Sequence, residues 1–359
     1  MRSWYVIFSL LLGLLAFYSC SESQTEEENL PLDELNAWNL NKQTIQGTTQ
    51  GTTFLIKTSE DSLLASPKEI SDLLHQFDLE LSGYIDYSIL SKLNDADSLF
   101  EVEENKFFNS CYALSQHVFS KTNGAFDPSV FPLVKAWGFF KDMTNEPSQQ
   151  EIDSILNFVG FESGHLHTFD GANFTKLHPS FQLDFNGIAQ GQSADEIATF
   201  LKNRGHENYF VEVGGEIVVA GKNNDGEPWI IGIDEPTEEN DGASQRKLEN
   251  YLSISEGGIA TSGNYRKFYK KDGKKYSHTL NPLTGFPVEH NLLSATVIAP
   301  NAALADGYAT VFMTIGVDST LSFVASHPEE KIEVYLLFEN NFGRIERAFS
   351  SGMQSYLLK

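Results

Sequence analysis

Three features of the chain predict an α+β fold. Strand-like apolar runs and helix-spaced apolar stripes interleave along it, with no clean βαβ repeat and no internal repeat. Beyond the N-terminal leader and tether, about 320 residues remain, and the chain is 41% hydrophobic and 12% aromatic. That is enough for one large domain or two closely joined lobes. After Cys20 the one remaining cysteine is Cys111. No intrachain disulfide supports the fold, so its core must, and Cys111 itself reads as a small buried hydrophobe among Phe107, Phe108 and Leu114.

The N-terminus reads as an export signal. Arg2 is basic, and apolar residues 6–17 form a run too short for a comfortable membrane span. The run ends in Ser19-Cys20, as a bacterial lipobox does, so Cys20 is the expected lipidated N-terminus. The protein would then sit in the bacterial cell envelope, lipid-anchored to a membrane and facing the periplasm or the exterior. Ser21-Glu22-Ser23-Gln24-Thr25-Glu26-Glu27-Glu28 opens a solvated acidic tether. The expected parts are a signal over 1–19, a tether over 20–45 and a domain over 46–359.

Within the domain, 48–58 reads as a strand and 67–81 as a helix, with Ile70, Leu73, Leu74, Phe77 and Leu81 on one face. Helices follow over 88–93, 105–122 (stopped by Asn123-Gly124) and 149–159, then a hairpin over 166–176. Residues 181–184 read as a strand that turns through glycine into a helix over 190–204. Strands are expected at 209–213, 217–220, 229–233, 252–255, 260–261, 265–270, 275–279 and 294–299, with 234–250 as an exposed loop. Helices at 302–315 and 321–326 and strands at 332–338 and 345–349 close the chain.

The net charge is −24, from 25 basic and 49 acidic residues. A nucleic-acid partner is excluded, because phosphate backbones need clustered Lys and Arg. Any phosphate-bearing ligand would need a metal ion or backbone amides instead. Asp306 and Thr310, four apart on an expected helix, put two oxygens on one face where a hard cation such as Mg2+ can be gripped. In Leu183-Asp184-Phe185-Asn186-Gly187-Ile188-Ala189-Gln190-Gly191, the glycines bare the backbone beside an acid at a helix start, a place suited to anions. It is not a Walker loop, since no Gly-Lys-Ser/Thr follows. Gly124-Ala125-Phe126-Asp127-Pro128 is a turn that by itself could be a loop corner. His278 lies between a strand and the Asn281-Pro282 turn, where side chains are held near ligands, and His290 is the next histidine of interest.

The order and spacing of these pieces resemble the ApbE family, the bacterial FAD:protein FMN transferases, from about residue 46 to the C-terminal end. The resemblance is carried by Gly51-Thr52-Thr53-Phe54, Leu81-Ser82-Gly83-Tyr84, Ser88-Ile89-Leu90-Ser91-Lys92-Leu93-Asn94, Trp137-Gly138-Phe139 and Val213-Gly214-Gly215-Glu216. Thr261-Ser262-Gly263-Asn264, Ser277-His278-Thr279-Leu280-Asn281-Pro282 and Ala305-Asp306-Gly307-Tyr308-Ala309-Thr310 continue it, together with the Asp127 and Asp184 segments. The resemblance implies an ApbE-like, T-fold-like architecture of mixed sheets with interleaved helices. It implies Mg2+-dependent cleavage of FAD, release of AMP, and transfer of FMN as a phosphoester to a threonine of an exported protein, typically a redox-pump subunit. On this chain it puts Tyr84 on the adenine, and Ala125, Phe126, Asp127, Asp184 and Gln190 along the FAD site. Leu280 would contact the flavin part through its backbone, and the Gly187 carbonyl, Asp306 and Thr310 would hold Mg2+. His278 becomes the candidate base for the acceptor hydroxyl.

The chain departs from the family at Gln50, where many relatives carry a methionine near the adenine, and at Gln190, Asn281, Leu283 and Ala309. Two other functions fit parts of the pattern. One is an FAD pyrophosphatase passing FMN to water, against which Tyr84 leans. The other is a non-catalytic flavin-binding lipoprotein, which would not need Asp306, Thr310 and His278 together.

Overall fold

A computed structural model describes residues 38–62, 64–102, 105–140, 146–237, 247–264, 268–271, 274–277 and 279–358. The expected signal peptide, Cys20, most of the tether and His278 lie outside the described residues. The chain divides into Met1–Glu34 and Leu35–Lys359. Strand pairing already begins at Trp38, ahead of the boundary expected at residue 46.

The centre is a nine-stranded antiparallel sheet whose spatial order follows the chain. Its strands are β1 (Trp38–Asn41), β2 (Thr44–Thr49), β3 (Thr52–Thr58), β4 (Tyr209–Val213), β5 (Glu216–Ala220), β6 (Glu256–Gly263), β7 (Leu292–Ala299), β8 (Glu333–Glu339) and β9 (Ile345–Phe349). Helices enter as insertions. α1 (Pro67–Leu81), α2 (Ile89–Asp95), α3 (Lys106–Lys121), α4 (Phe131–Ala136), α5 (Gln149–Ile155) and α6 (Ala189–Asn203) all fall between β3 and β4. α7 (Ala302–Ile315) and α8 (Val317–Ser326) link β7 to β8. The class is α+β, as the interleaving implies.

Alternation along β7 and β8 shows why the sheet is covered on both faces. Ala295, Val297, Val334 and Leu336 face a core shared with α3 and α7, while Ile298, Tyr335 and Leu337 pack with Trp229, Ile231, Leu252 and Ile254 on the other side. Helix starts are set by local chemistry: Ser66 and Glu69 form a reciprocal cap on α1, with Pro67 in its first turn, and Ser148 and Glu151 do the same on α5. Cys111 is fully buried.

Several expected elements are corrected. The strand at 48–58 is a hairpin, since Gln50 and Gly51 take φ 53° and 69° and turn β2 into β3. The helix expected to reach 159 ends at Ile155 and tightens into a 3₁₀ turn over Leu156–Phe158. The loop at 234–250 carries the start of a strand, Leu248–Ile254, which pairs with Trp229–Asp234. Residues 181–184 form no strand, because a side chain takes the place of a neighbouring strand. Asn94 at the end of α2 donates to the Leu183 carbonyl at 2.8 Å and accepts from the Leu183 N–H at 2.7 Å.

Candidate functional site

Two helices build the centre of the site. At Gly191, α6 runs so close to α7 that a Cβ there would lie 2.3 Å from the Ala302 carbonyl oxygen. This approach lets the Gly191 N–H donate to Asp306 Oδ2 at 3.2 Å. Asp195, farther along α6, accepts from the Ala302 and Ala303 N–H groups at 2.9 Å each and fixes the start of α7. Asp306 is 6% exposed. Burial raises its carboxyl to about 7 despite the Gly191 N–H, and the nearby Asp195 charge adds to the rise. Among the described residues, no other hydrogen-bond donor reaches it.

Thr310, one helical turn beyond Asp306, stands against the loop that leads into α6. A Cβ on Gly187 would lie 3.3 Å from both Thr310 Oγ1 and Phe126 Cε2. The structure therefore brings Phe126, Gly187, Asp306 and Thr310 together. Among the described residues no group of three His, Cys, Asp or Glu side chains could hold a metal ion. The set here is of another kind: one carboxyl, one hydroxyl and a glycine backbone. Such oxygen donors suit a hard divalent cation, and a buried carboxyl with one donor has acceptor positions left for it.

Around this centre the other expected residues divide. Ala125 and Phe126 are buried in the turn after α3, where the Phe126 N–H donates to Thr122 Oγ1 at 3.3 Å. The Asp127 carboxyl accepts from the Ser129 N–H at 2.8 Å, from Ser129 Oγ at 2.5 Å and from the Phe161 N–H at 3.3 Å. Burial still raises it to about 6. That side chain is committed to its own turn, which leaves its backbone to line a ligand. The Asp184 N–H donates to the Pro128 carbonyl at 2.7 Å, tying the two loops together. Burial raises the Asp184 carboxyl to about 6, although it accepts from the Asn186 N–H at 2.7 Å.

Tyr84 lies at the edge of this cluster and is exposed, with its hydroxyl 3.2 Å from the donating Asn186 Nδ2. Gln190 rests on the β4–β5 turn, where a Cβ on Gly214 would come within 2.6 Å of its Nε2. The Gln50 amide points inward: its Oε1 accepts from Ser193 Oγ at 3.4 Å, and it opposes the burial that raises Asp78 to about 7. The Leu280 side chain packs with Leu133, Trp137 and Ile152. Its bridge to Pro287 is flanked by the Asn281 N–H donating to Phe286 and the Val288 N–H donating to Thr279, so the Leu280 backbone polar groups point the other way. His290 Nε2 lies 2.9 Å from the Met313 carbonyl and its Nδ1 accepts from the Leu292 N–H at 3.4 Å, so it ties β7 to the end of α7.

Asn94, Asn186 and Asp195 position the site and were not singled out by the sequence. Asn94 and Asn186 fall inside quoted motifs, but only the fold reveals their partners. Surface cavities of about 570 and 440 Å³ open elsewhere, beside Glu101 and Asn105, and no candidate residue lines either. Chemistry, not volume, locates this site.

The comparisons agree with this geometry. A family model described as the ApbE family matches residues 50–336. The chain is 32% identical over 357 residues to the FAD:protein FMN transferase of Vibrio cholerae, covering 98% of each. It is 34% identical over 275 residues to that of Escherichia coli, covering 75% of this chain and 76% of the relative. Among solved structures, the flavin transferase ApbE from Vibrio cholerae aligns with a TM-score of 0.76 at 30% identity, over 88% of this chain and 98% of that one. The apo flavinyl transferase ApbE of Pseudomonas stutzeri aligns at 0.75 and 28%, over 89% and 98%. This chain belongs to the ApbE family and is a transferase.

Proposed function

We propose that this transferase takes FMN from FAD and joins it through a phosphoester to a threonine of an exported acceptor protein, with Mg2+ required. The names of its relatives support FAD, FMN and a protein acceptor. The observation that carries the rest is Asp306, buried beside Thr310 and Gly187 with a single hydrogen-bond donor among the described residues. These three would hold Mg2+, which when bound supplies positive charge at the pyrophosphate. In a chain of net charge −24 that charge has few local substitutes. At the start of α6 the Ala189 N–H is given to the Phe185 carbonyl and the Gly191 N–H to Asp306, so among the described residues the Gln190 N–H is the first-turn donor left for a phosphate. Tyr84 stacks on the adenine, and the Leu280 backbone faces the flavin part.

The acceptor hydroxyl attacks the phosphorus on the FMN side. A new P–O bond forms, the bridging P–O bond breaks, AMP leaves with its electron pair, and the hydroxyl proton passes to a base. His278 is the proposed base, having the side chain whose ordinary pKa lies nearest neutrality. His278→Ala is expected to cut transfer by about a hundred-fold while FAD still binds; an unchanged rate and pH profile would remove it from this role. The same reading anchors the mature chain in the cell envelope through Cys20, with a redox-pump subunit as the expected acceptor. Cys20→Ala should give an uncleaved precursor or a soluble product, and membrane association at unchanged size would contradict the anchor.

The activity is tested by incubating the protein with FAD, Mg2+ and a threonine-bearing peptide. Mass spectrometry should find the peptide heavier by one FMN phosphoester. Free FMN alone would mean hydrolysis, and unconsumed FAD would overturn the reading.

A further inference from the structure

We propose that Phe140 is a positioning residue for the base-stacking ring of Tyr84; this rests on the flavin-nucleotide reading above. Tyr84 is 58% exposed, a large share for an aromatic side chain. One face of its ring is already taken, because Phe140 stacks on it with centroids 4.9 Å apart and planes 21° from parallel. Phe140 is itself anchored: it meets Phe131 edge-on at 4.9 Å and 90°, and Phe131 is buried in the first turn of α4. The phenol tip is fixed separately by Asn186 Nδ2.

The Tyr84 ring is thus held at one face and at its tip, and its open face is the one left for a planar base. A base inserted between the two rings would need them about 7 Å apart, twice the ordinary contact distance of about 3.5 Å. Stacking on the outer face needs no such separation. Pre-ordering also matters, since an unbacked ring would lose rotamer freedom when the base arrives. Phe140 therefore adds to affinity without touching the ligand. Its action should be confined to the adenine half, because the flavin half lies with Leu280.

The test measures AMP and FMN binding by calorimetry on the full chain. The variants are Phe140→Ala, Phe140→Tyr, Tyr84→Ala and the Phe140→Ala/Tyr84→Ala pair, with circular dichroism to follow the fold. Phe140→Ala should weaken AMP binding by about two- to ten-fold, the scale of one aromatic pair, and leave FMN binding unchanged. Phe140→Tyr should restore AMP binding, and the double variant should bind AMP no more weakly than Tyr84→Ala alone. Unchanged AMP affinity in Phe140→Ala would overturn the proposal, as would equal losses for AMP and FMN or additive losses in the pair. Tighter AMP binding would overturn it too, by showing that Phe140 competes for the stacking face. A wild-type chain that binds neither AMP nor FMN would instead overturn the nucleotide reading itself.

Discussion

Asp306 and Glu330 are both buried acids, 6% and 7% exposed, yet their surroundings are opposite. Burial alone would raise both carboxyls. At Glu330 that rise is outweighed: Lys121 Nζ lies 2.8 Å away, His117 Nε2 2.7 Å, and the Tyr308 hydroxyl donates at 2.8 Å, holding the group down at about 2. Asp306 has the Gly191 N–H and is left at about 7. A carboxyl that serves only the fold is paired until its acceptor positions are filled. A carboxyl kept buried and underpaired has a destabilising environment that a ligand can relieve, and such groups concentrate at functional sites.

The comparison breaks most sharply on activity. Asp306→Ala should lower FAD cleavage by about 10²–10³-fold, the scale of losing one preorganised electrostatic group, while circular dichroism shows the fold intact. Glu330→Gln should do the reverse. Transfer persists at saturating FAD, and the urea midpoint falls by an amount corresponding to about 1.5–3 kcal/mol, as hydrogen bonds to a charged group are lost. Loss of activity in Glu330→Gln without loss of stability would erase the distinction.

A subtler variant leaves the carboxyl in place and moves its one donor. Gly191→Ala puts a Cβ 2.3 Å from the Ala302 carbonyl oxygen, and backbone on both sides gives way poorly. Overpacking of this kind costs about 1–3 kcal/mol, so the thermal midpoint should drop, and the Gly191–Asp306 bond should loosen with it. A variant with wild-type stability would mean that α6 and α7 slide apart freely.

The helix carrying Asp306 and Thr310 could be read from the sequence because one helix sets both the period and the spacing of its oxygens. The class of fold was equally legible from interleaved apolar patterns. What could not be read were features decided by contact across the chain. The break at Gln50 is a non-glycine residue in left-handed conformation, which no local pattern marks except the glycine after it. Residues 181–184 look like a strand because apolar Phe181 and Leu183 alternate with polar Gln182 and Asp184, but the Leu183 backbone is bound by Asn94, about ninety positions away. Asp127 has the residue type of a ligand contact and the geometry of a cap. Phe140 carries no motif at all, and its place on Tyr84 exists only in the fold.

Asp306 is underpaired in a way that a bound divalent cation would complete. Calorimetric titration of Mg2+ between pH 6 and pH 8 tests this directly in wild type, Asp306→Ala and Glu330→Gln. Below pH of about 7 the Asp306 carboxyl holds a proton in the metal-free chain. Cation binding must expel that proton, so affinity should fall by up to about tenfold per pH unit below 7 and level off above it. Glu330, ionised down to about 2, adds no slope in this range. Wild type and Glu330→Gln should show this pH-dependent binding and Asp306→Ala none; Mg2+ binding to Asp306→Ala with wild-type affinity and pH profile would rule out Asp306 as the cation's ligand.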